Sequence, residues 1–387
     1  MMSVCRRFRR HLFLLLFLGP VPVALPARGA SEGVPVRHLT VRELWRLPAE
    51  DDTYLVSTLT DARFDPRGDL CIADVKQKCV FVFGRDGTFL RTLGREGEGP
   101  GESRDVRCVF FADDRYGLLQ LMPAAIVWLN SDGTPAGKVT IASDAAGGES
   151  WVAVGWARQD GAHILAWINR SSFQDGKVVR GDEGLVEVAS DGSVGPLLFR
   201  QPPVPDSSRA DGIDEGRIHD IWMGRWCGDG HGGVWVAPER DRYLLQHWGP
   251  GSGLLTEVEL PYEAIVRNEA GRERVLERLT GRGFKRDQVR VAGTAPVIAD
   301  LRLGDGRKLW ARLDLGGNIL DGDVNRVYDV FDNDGRRLEQ VHVHGGADAA
   351  VRLVIDDRTM VSLIDDPQGD RQWLVLETLE SRAGSAH

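Results

Sequence analysis

Two adjacent residues, His219 and Asp220, set an imidazole beside a carboxylate in a stretch that continues with Trp222, Arg225 and Trp226. Imidazole titrates near neutral pH, which makes His219 a candidate general base and Asp220 its partner. Asp61, Asp105 and Asp220 each stand at the start of a β-rich segment. A fold that gathers those segments round one axis would let the three carboxylates share a calcium ion, and no other cofactor is implied. Cys227 and His231 have a metal-like spacing in WCGDGHGG, but a structural zinc site wants four ligands and no second pair stands nearby. That octapeptide reads as a glycine-rich turn. His342 and His344 alternate along one strand face, an arrangement compatible with metal binding. No Gly-x-Ser-x-Gly or His-Glu-x-x-His motif is present.

A second set of charges lies in the linker Gly94–Glu102, GREGEGPGE. It lacks the Gly-Lys-Ser/Thr of a phosphate loop. Arg95, Glu96, Glu98, Glu102 and Arg104 cluster there, and Lys76 sits in the hairpin before it. In one reading the glycines shape a crossover and the charges are solvated. In the other, these residues join His219 and Asp220 as a binding face. Cys71 and Cys79 fall on the two strands of one hairpin. Superposing Phe64–Gly94 on Gly230–Gly249 places Trp235 on Cys71 and Tyr243 on Cys79, which predicts that the two cysteines face each other. They are then either a disulfide or two buried thiols.

The elements that must position these residues are strands. Phe64–Gly94 reads as three short strands, each closed by its own turn, and related units recur along the chain. Recurrence of a three- to four-strand unit predicts an all-β, six-bladed β-propeller. Asp-Gly pairs at Asp86-Gly87, Asp132-Gly133, Asp191-Gly192 and Asp334-Gly335 mark hairpin turns. The six units span Thr58–Leu93, Val106–Ile141, Trp151–Phe199, Ile218–Leu260, Pro296–His344 and Val351–Leu379. The last has three strands, so Leu39–Leu47 is expected to supply its fourth and close the ring. Tyr262–Leu279, rich in Glu, Arg, Ala and Leu, predicts a helical insertion over about 262–280, between blades four and five.

The N-terminus carries an export address. Arg6, Arg7, Arg9 and Arg10 precede an apolar run at Leu12–Leu18, and small residues follow at Ala27 and Gly29. Residues 1–29 read as a signal peptide, leaving 30–387 as one propeller domain delivered to the periplasm or outside the cell. With 48 basic against 57 acidic residues and a net charge of −9, nucleic acid is excluded as a partner. No later segment is apolar enough to span a bilayer, and the chain reads as a monomer.

Gly68-Asp69-Leu70-Cys71-Ile72-Ala73-Asp74 and the linker Gly94–Glu102 together resemble the first blade of bacterial six-bladed propellers of the NHL-repeat-like kind. The resemblance covers Leu44–Glu102 and becomes diffuse beyond. It implies the fold and export, and no activity. Calcium-dependent lactonase and arylesterase propellers hold their ion with mixed carboxylate and asparagine ligands, and asparagines are few at matching places here. The expected role is an exported, non-catalytic module that binds a protein or small polar ligand on the face carrying Lys76, Arg95, Glu96, Glu98, Arg104, His219 and Asp220. The alternative is a propeller enzyme of lactonase, esterase or lyase type, built on His219 and the channel carboxylates.

Overall fold

The computed structural model describes residues 33–141, 150–174, 177–201, 208–209, 212–217, 221–251, 253–281, 283–320, 323–346, 351–354, 356, 358–365 and 372–382. The signal-peptide reading falls outside them. Six four-stranded antiparallel blades form the molecule. Blade one comprises Leu59–Phe64, Leu70–Asp74, Cys79–Phe83 and Phe89–Leu93. Blade two starts at Cys108–Ala112, blade three at Ser150–Asp160, blade four at Trp226–Gly228, blade five at Ile298–Leu303 and blade six at Val351–Val354.

Middle strands are buried on both faces because a blade is packed between two others. In blade one, Leu70–Asp74 and Cys79–Phe83 are buried at every position. That is why they read as unbroken apolar runs and not as alternating ones. Six apolar clusters result, each drawn from two consecutive blades. One joins Cys71, Val80 and Val82 to Val109, Leu118 and Val127 of blade two. Another joins Leu70, Ile72, Cys79 and Phe81 to Val361, Leu363 and Leu374 of blade six. Each fully buried Leu, Val or Phe contributes about 1.5–3 kcal/mol, and together the six clusters close the ring.

The Asp-Gly pairs turn the chain into the outer strands as the sequence predicts. At Asp86-Gly87 the glycine adopts φ +88°, its N–H donates to the Gly84 carbonyl, and the Asp86 carboxylate accepts from Thr88 N. A register shift follows between Val82 and Phe83, the bulge that accompanies a three-residue hairpin loop.

Closure of the ring differs from a simple fourth strand. Val36–Pro48 pairs antiparallel with Gln372–Ser381, from Leu39 opposite Ser381 to Pro48 opposite Trp373, as expected. Its first residues also pair in parallel with the outer strand of blade five, Val36 opposite Gln340 through Thr40 opposite His344. Blades five and six are thereby fused into one eight-stranded sheet. Leu39, Val341, Val343, Tyr328, Met360 and Leu379 bury together at this seam.

The insertion is helical over Glu269–Thr280, later than the predicted onset. Asn268 caps it by accepting from Gly271 N at 2.8 Å, and Gly281 ends it. Gly271 is required inside this helix because a Cβ there would lie 2.0 Å from the Gly316 carbonyl oxygen.

Removal of residues through Leu47 would strip the outer strand from blade six and expose unpaired backbone along Gln372–Ser381. The truncated protein is expected to aggregate. Light scattering of the truncated and full-length proteins checks this, and a soluble, monodisperse truncation contradicts it.

Candidate functional site

The two faces of the ring differ. One carries the crossovers from each outer strand to the next inner strand together with the middle hairpins; the other carries the short turns. The contact between Lys78 of the middle hairpin and Glu96 of the linker establishes that the first two share a face. On this linker face Arg95 pairs with Glu102 at 2.8 Å and Arg104 with Glu98 at 2.5 Å. Glu102 also takes the Gly99 N–H at 2.8 Å, and a Cβ on Gly97 would lie 2.0 Å from its carboxylate. The glycine cradle is therefore filled by the chain's own acid, and the segment runs as a crossover between blades one and two. Lys76 is exposed on the same hairpin, but Lys78 is the lysine that meets the linker. Asp74 ends an apolar strand and carries no sequence signal of a site. Fully buried, it accepts N–H donors from Ser57, Thr58, Lys76 and Gln77 and so locks the hairpin to the chain entering blade one.

The proposed calcium carboxylates have other work. Asp61 accepts from Arg63 Nε at 3.0 Å and from Val109 N at 3.1 Å. Asp105 accepts from Leu121 N at 3.0 Å and lies 3.5 Å from Arg107 Nε. Asp220, like His219, lies outside the described residues. Among the described residues no three His, Cys, Asp or Glu side chains are grouped to hold a metal ion.

The pairing of Cys71 with Cys79 is corrected. Cys71 stands opposite Val82, and Cys79 stands opposite Asp74. The turn begins after Asp74, so three residues, about 10 Å of strand, separate Cys71 from the position facing Cys79. An odd offset also places the two thiols on opposite faces of the blade, one in each neighbouring cluster. Cys71, Cys79, Cys108 and Cys227 are all free and buried. Burial, with Asp74 nearby, pushes the Cys79 thiol up to about 12. The native protein is expected to resist iodoacetamide at all four positions and to react fully once unfolded. Mass spectrometry of alkylated peptides reads this directly; a peptide linking Cys71 to Cys79 would contradict it.

WCGDGHGG is a turn, as expected. Its anchor is Asp229, which accepts from His247 Nε2 at 2.8 Å and from the backbone N–H groups of His231 and Gly233. Burial works to raise the Asp229 carboxyl, yet these hydrogen bonds outweigh it and bring the group down to about 2. His342 and His344 do share a strand, and the structure adds His38 from the closing strand. His38 Nδ1 lies 2.8 Å from His344 Nε2, and His344 Nδ1 lies 2.6 Å from Asp323. These groups knit the seam between blades five and six.

Two clusters missed in the sequence frame the channel. The first crosses its turn-face half. Arg158, buried on the inner strand of blade three, donates to the carbonyls of Trp226 at 2.7 Å and Leu301 at 2.9 Å, and to Asp300 at 3.3 Å. Arg302 Nε holds the other oxygen of Asp300 at 2.7 Å. Burial tends to raise the Asp300 carboxyl, but Arg302, Arg158 and Arg312 together hold it below its usual range. Gln159 spans to both backbone groups of Phe111, and Arg63 donates to the Gln159 carbonyl at 3.2 Å.

The second cluster builds a cap on the linker face. Gly212–Asp214, from the linker into blade four, pairs in parallel with Val289–Arg290 of the insertion. Ile213, Val275 and Leu279 pack there with Phe284, Val289 and Val291. Beneath them Glu215 is clamped by Arg267, at 2.9 and 3.0 Å, and by Arg240 at 3.2 Å, all three buried. Burial alone would raise the Glu215 carboxyl; the two guanidinium groups instead hold it below its ordinary value. On the far side of His219 and Asp220, the short helix Ile221–Gly224 is anchored by Ile221, buried against blade three. The only signal for either cluster in the sequence was an arginine inside an apolar strand or beside a glycine turn.

Glu215→Gln would leave two buried guanidinium groups without their shared charge, a change that typically costs about 3–5 kcal/mol. The variant is expected to lose that stability in urea and to exchange amide hydrogens faster over Glu269–Thr280. Protection there unchanged from the parent would show that the clamp does not hold the cap.

No family model and no curated protein matches this chain. Solved structures do. A Bacteroides fragilis protein described as exported shares 12% identity over 90% of this chain and 99% of its own, with a TM-score of 0.52. A Bacteroides vulgatus member of the DUF4221 family gives 8% identity over 89% and 98%, TM-score 0.49. The virginiamycin B lyase of Staphylococcus aureus gives 11% over 88% and 100%, TM-score 0.43. At such identities the likeness is one of fold, the multi-bladed propeller, and it is not specific to NHL repeats.

Proposed function

We propose that this is an exported propeller that takes a small polar molecule into the linker-face mouth of its channel and acts on it, with His219 as general base and Asp220 as its partner. This is the enzymatic alternative read from the sequence, of lactonase, esterase or lyase type. The observation that carries it is the buried clamp of Arg240 and Arg267 on Glu215, which fixes an asymmetric cap on the linker face a few residues before His219 and Asp220 in the sequence. A broad protein-docking face has no need of such a cap, and the charges of the rim are paired with one another. The channel is crossed by Arg158 in its turn-face half, so a ligand entering from the linker face would be stopped there. Concave sites with few polar groups suit small molecules. Export agrees with the basic and apolar N-terminus and with the structural neighbour described as exported. The NHL-like first blade belongs to this reading as a statement about ancestry.

Turnover of chromogenic lactones and carboxylic esters by the purified mature protein tests it. An active compound should lose about 10²–10⁴-fold in rate with His219→Ala and a comparable part with Asp220→Asn. Binding without turnover would restore the non-catalytic module, and full activity in His219→Ala would move the site elsewhere.

A further inference from the structure

Among the described residues, the channel holds more guanidinium than carboxylate. Arg63, Arg158 and Arg302 lie on the inner strands of blades one, three and five, and Arg312 stands opposite Asp300 on the next strand. Among the described residues their countercharges are Asp61 and Asp300. Arg107 and Asp105 pair with each other and cancel. This local excess runs against a chain whose net charge is −9, so composition does not explain it.

The arginines are not equally occupied. Arg158 is consumed by two backbone carbonyls and Asp300, and it lies over the Trp226 ring at 5.1 Å. Its burial first, and the neighbouring Arg302 charge after it, pull its guanidinium down to about 10. Arg302 uses Nε alone; neither of its Nη groups has a hydrogen-bond partner among the described residues, and its side chain is 29% exposed. Arg63 uses Nε and Nη1, which leaves Nη2 open, with the side chain 21% exposed. Both stand next to the last residue of their strands, in the turn-face half of the channel. A half-open guanidinium fork with unbalanced charge is suited to an anion with two coplanar oxygens.

We propose that the channel is a binding site for a small oxyanion, a carboxylate or phosphate group, held by the two Nη groups of Arg302 with Arg63 beside it. The site does not depend on His219 or on any turnover. Isothermal titration of the full mature protein with malonate and with inorganic phosphate, at ionic strength fixed with sodium chloride, tests it. At least one of the two should bind saturably, and Arg302→Gln should weaken that binding tenfold or more. Arg302→Lys keeps the charge without the fork; it should fall between the two and serves as the probe if the glutamine variant does not fold. His219→Ala should bind as the parent does. Absence of saturable binding by both anions, or equal affinity in the Arg302 variants, overturns the site. The two anions also differ in consequence: preference for malonate marks a carboxylate ligand, preference for phosphate a phosphorylated one, and either supports the proposal.

Discussion

Arg158 is the point at which three blades become one body. A single guanidinium reaches from the inner strand of blade three to main-chain carbonyls of blades four and five, while its charge is met by Asp300. Carbonyls at the centre of a ring of sheets have no ladder partner, and an unpaired buried polar group costs about 1–3 kcal/mol. Arginine, with its fixed fork of donors, satisfies several of them at once. Blades one and two are tied in the same zone by Gln159 and Arg63. The channel is thus a polar framework whose geometry is set before any ligand enters.

Between blades, a second device recurs. The Tyr116 hydroxyl of blade two donates to Asp65 of blade one at 2.7 Å, and that of Tyr243 in blade four donates to Asp329 of blade five at 2.7 Å. Burial and the facing carboxylate raise both phenols, that of Tyr243 well above its ordinary range. They stay donors under ordinary conditions. Apolar contact gives each blade pair its stability, and these bonds fix the angle at which neighbouring blades meet.

Local turn chemistry made the blades legible in the sequence. Asp86-Gly87 specifies its own hairpin, and an apolar run between such turns has little choice but to be a middle strand. The closing strand was legible for a different reason, since Val351–Leu379 lacked a fourth member. Its parallel pairing with Arg337–His344 was not, because nothing near Val36 in the chain refers to blade five. Where a turn begins decides which residues face each other, and a repeat superposition does not say where that is: Cys71 stands opposite Val82, and Trp235 in the equivalent slot of blade four stands opposite His247, not Tyr243. The helix began late because Asn268 supplies a cap that the apolar period alone did not weigh. Arg158, Glu215 and Arg267 show in the sequence only as charges in or beside apolar segments, and a lone charge acquires meaning only from partners brought to it by the ring. His219 and Asp220 are legible by residue type alone, and the structure contributes the fixed elements that flank them in the sequence, Glu215–Arg217 and Ile221–Gly224.

The fusion of blades five and six also orders events in time. The strand Val36–Pro48 is made first, yet both of its partners, Arg337–His344 and Gln372–Ser381, lie near the other end of the chain. Contacts between residues so distant along the chain form late, because a long loop must close before they contribute anything. The first strand must therefore wait, unpaired, while five blades assemble ahead of it. Its charged residues, Arg37, Arg42, Glu43 and Arg46, keep it soluble through that interval. Once seated, it touches two blades at once, so the ring cannot reopen by losing one ladder alone.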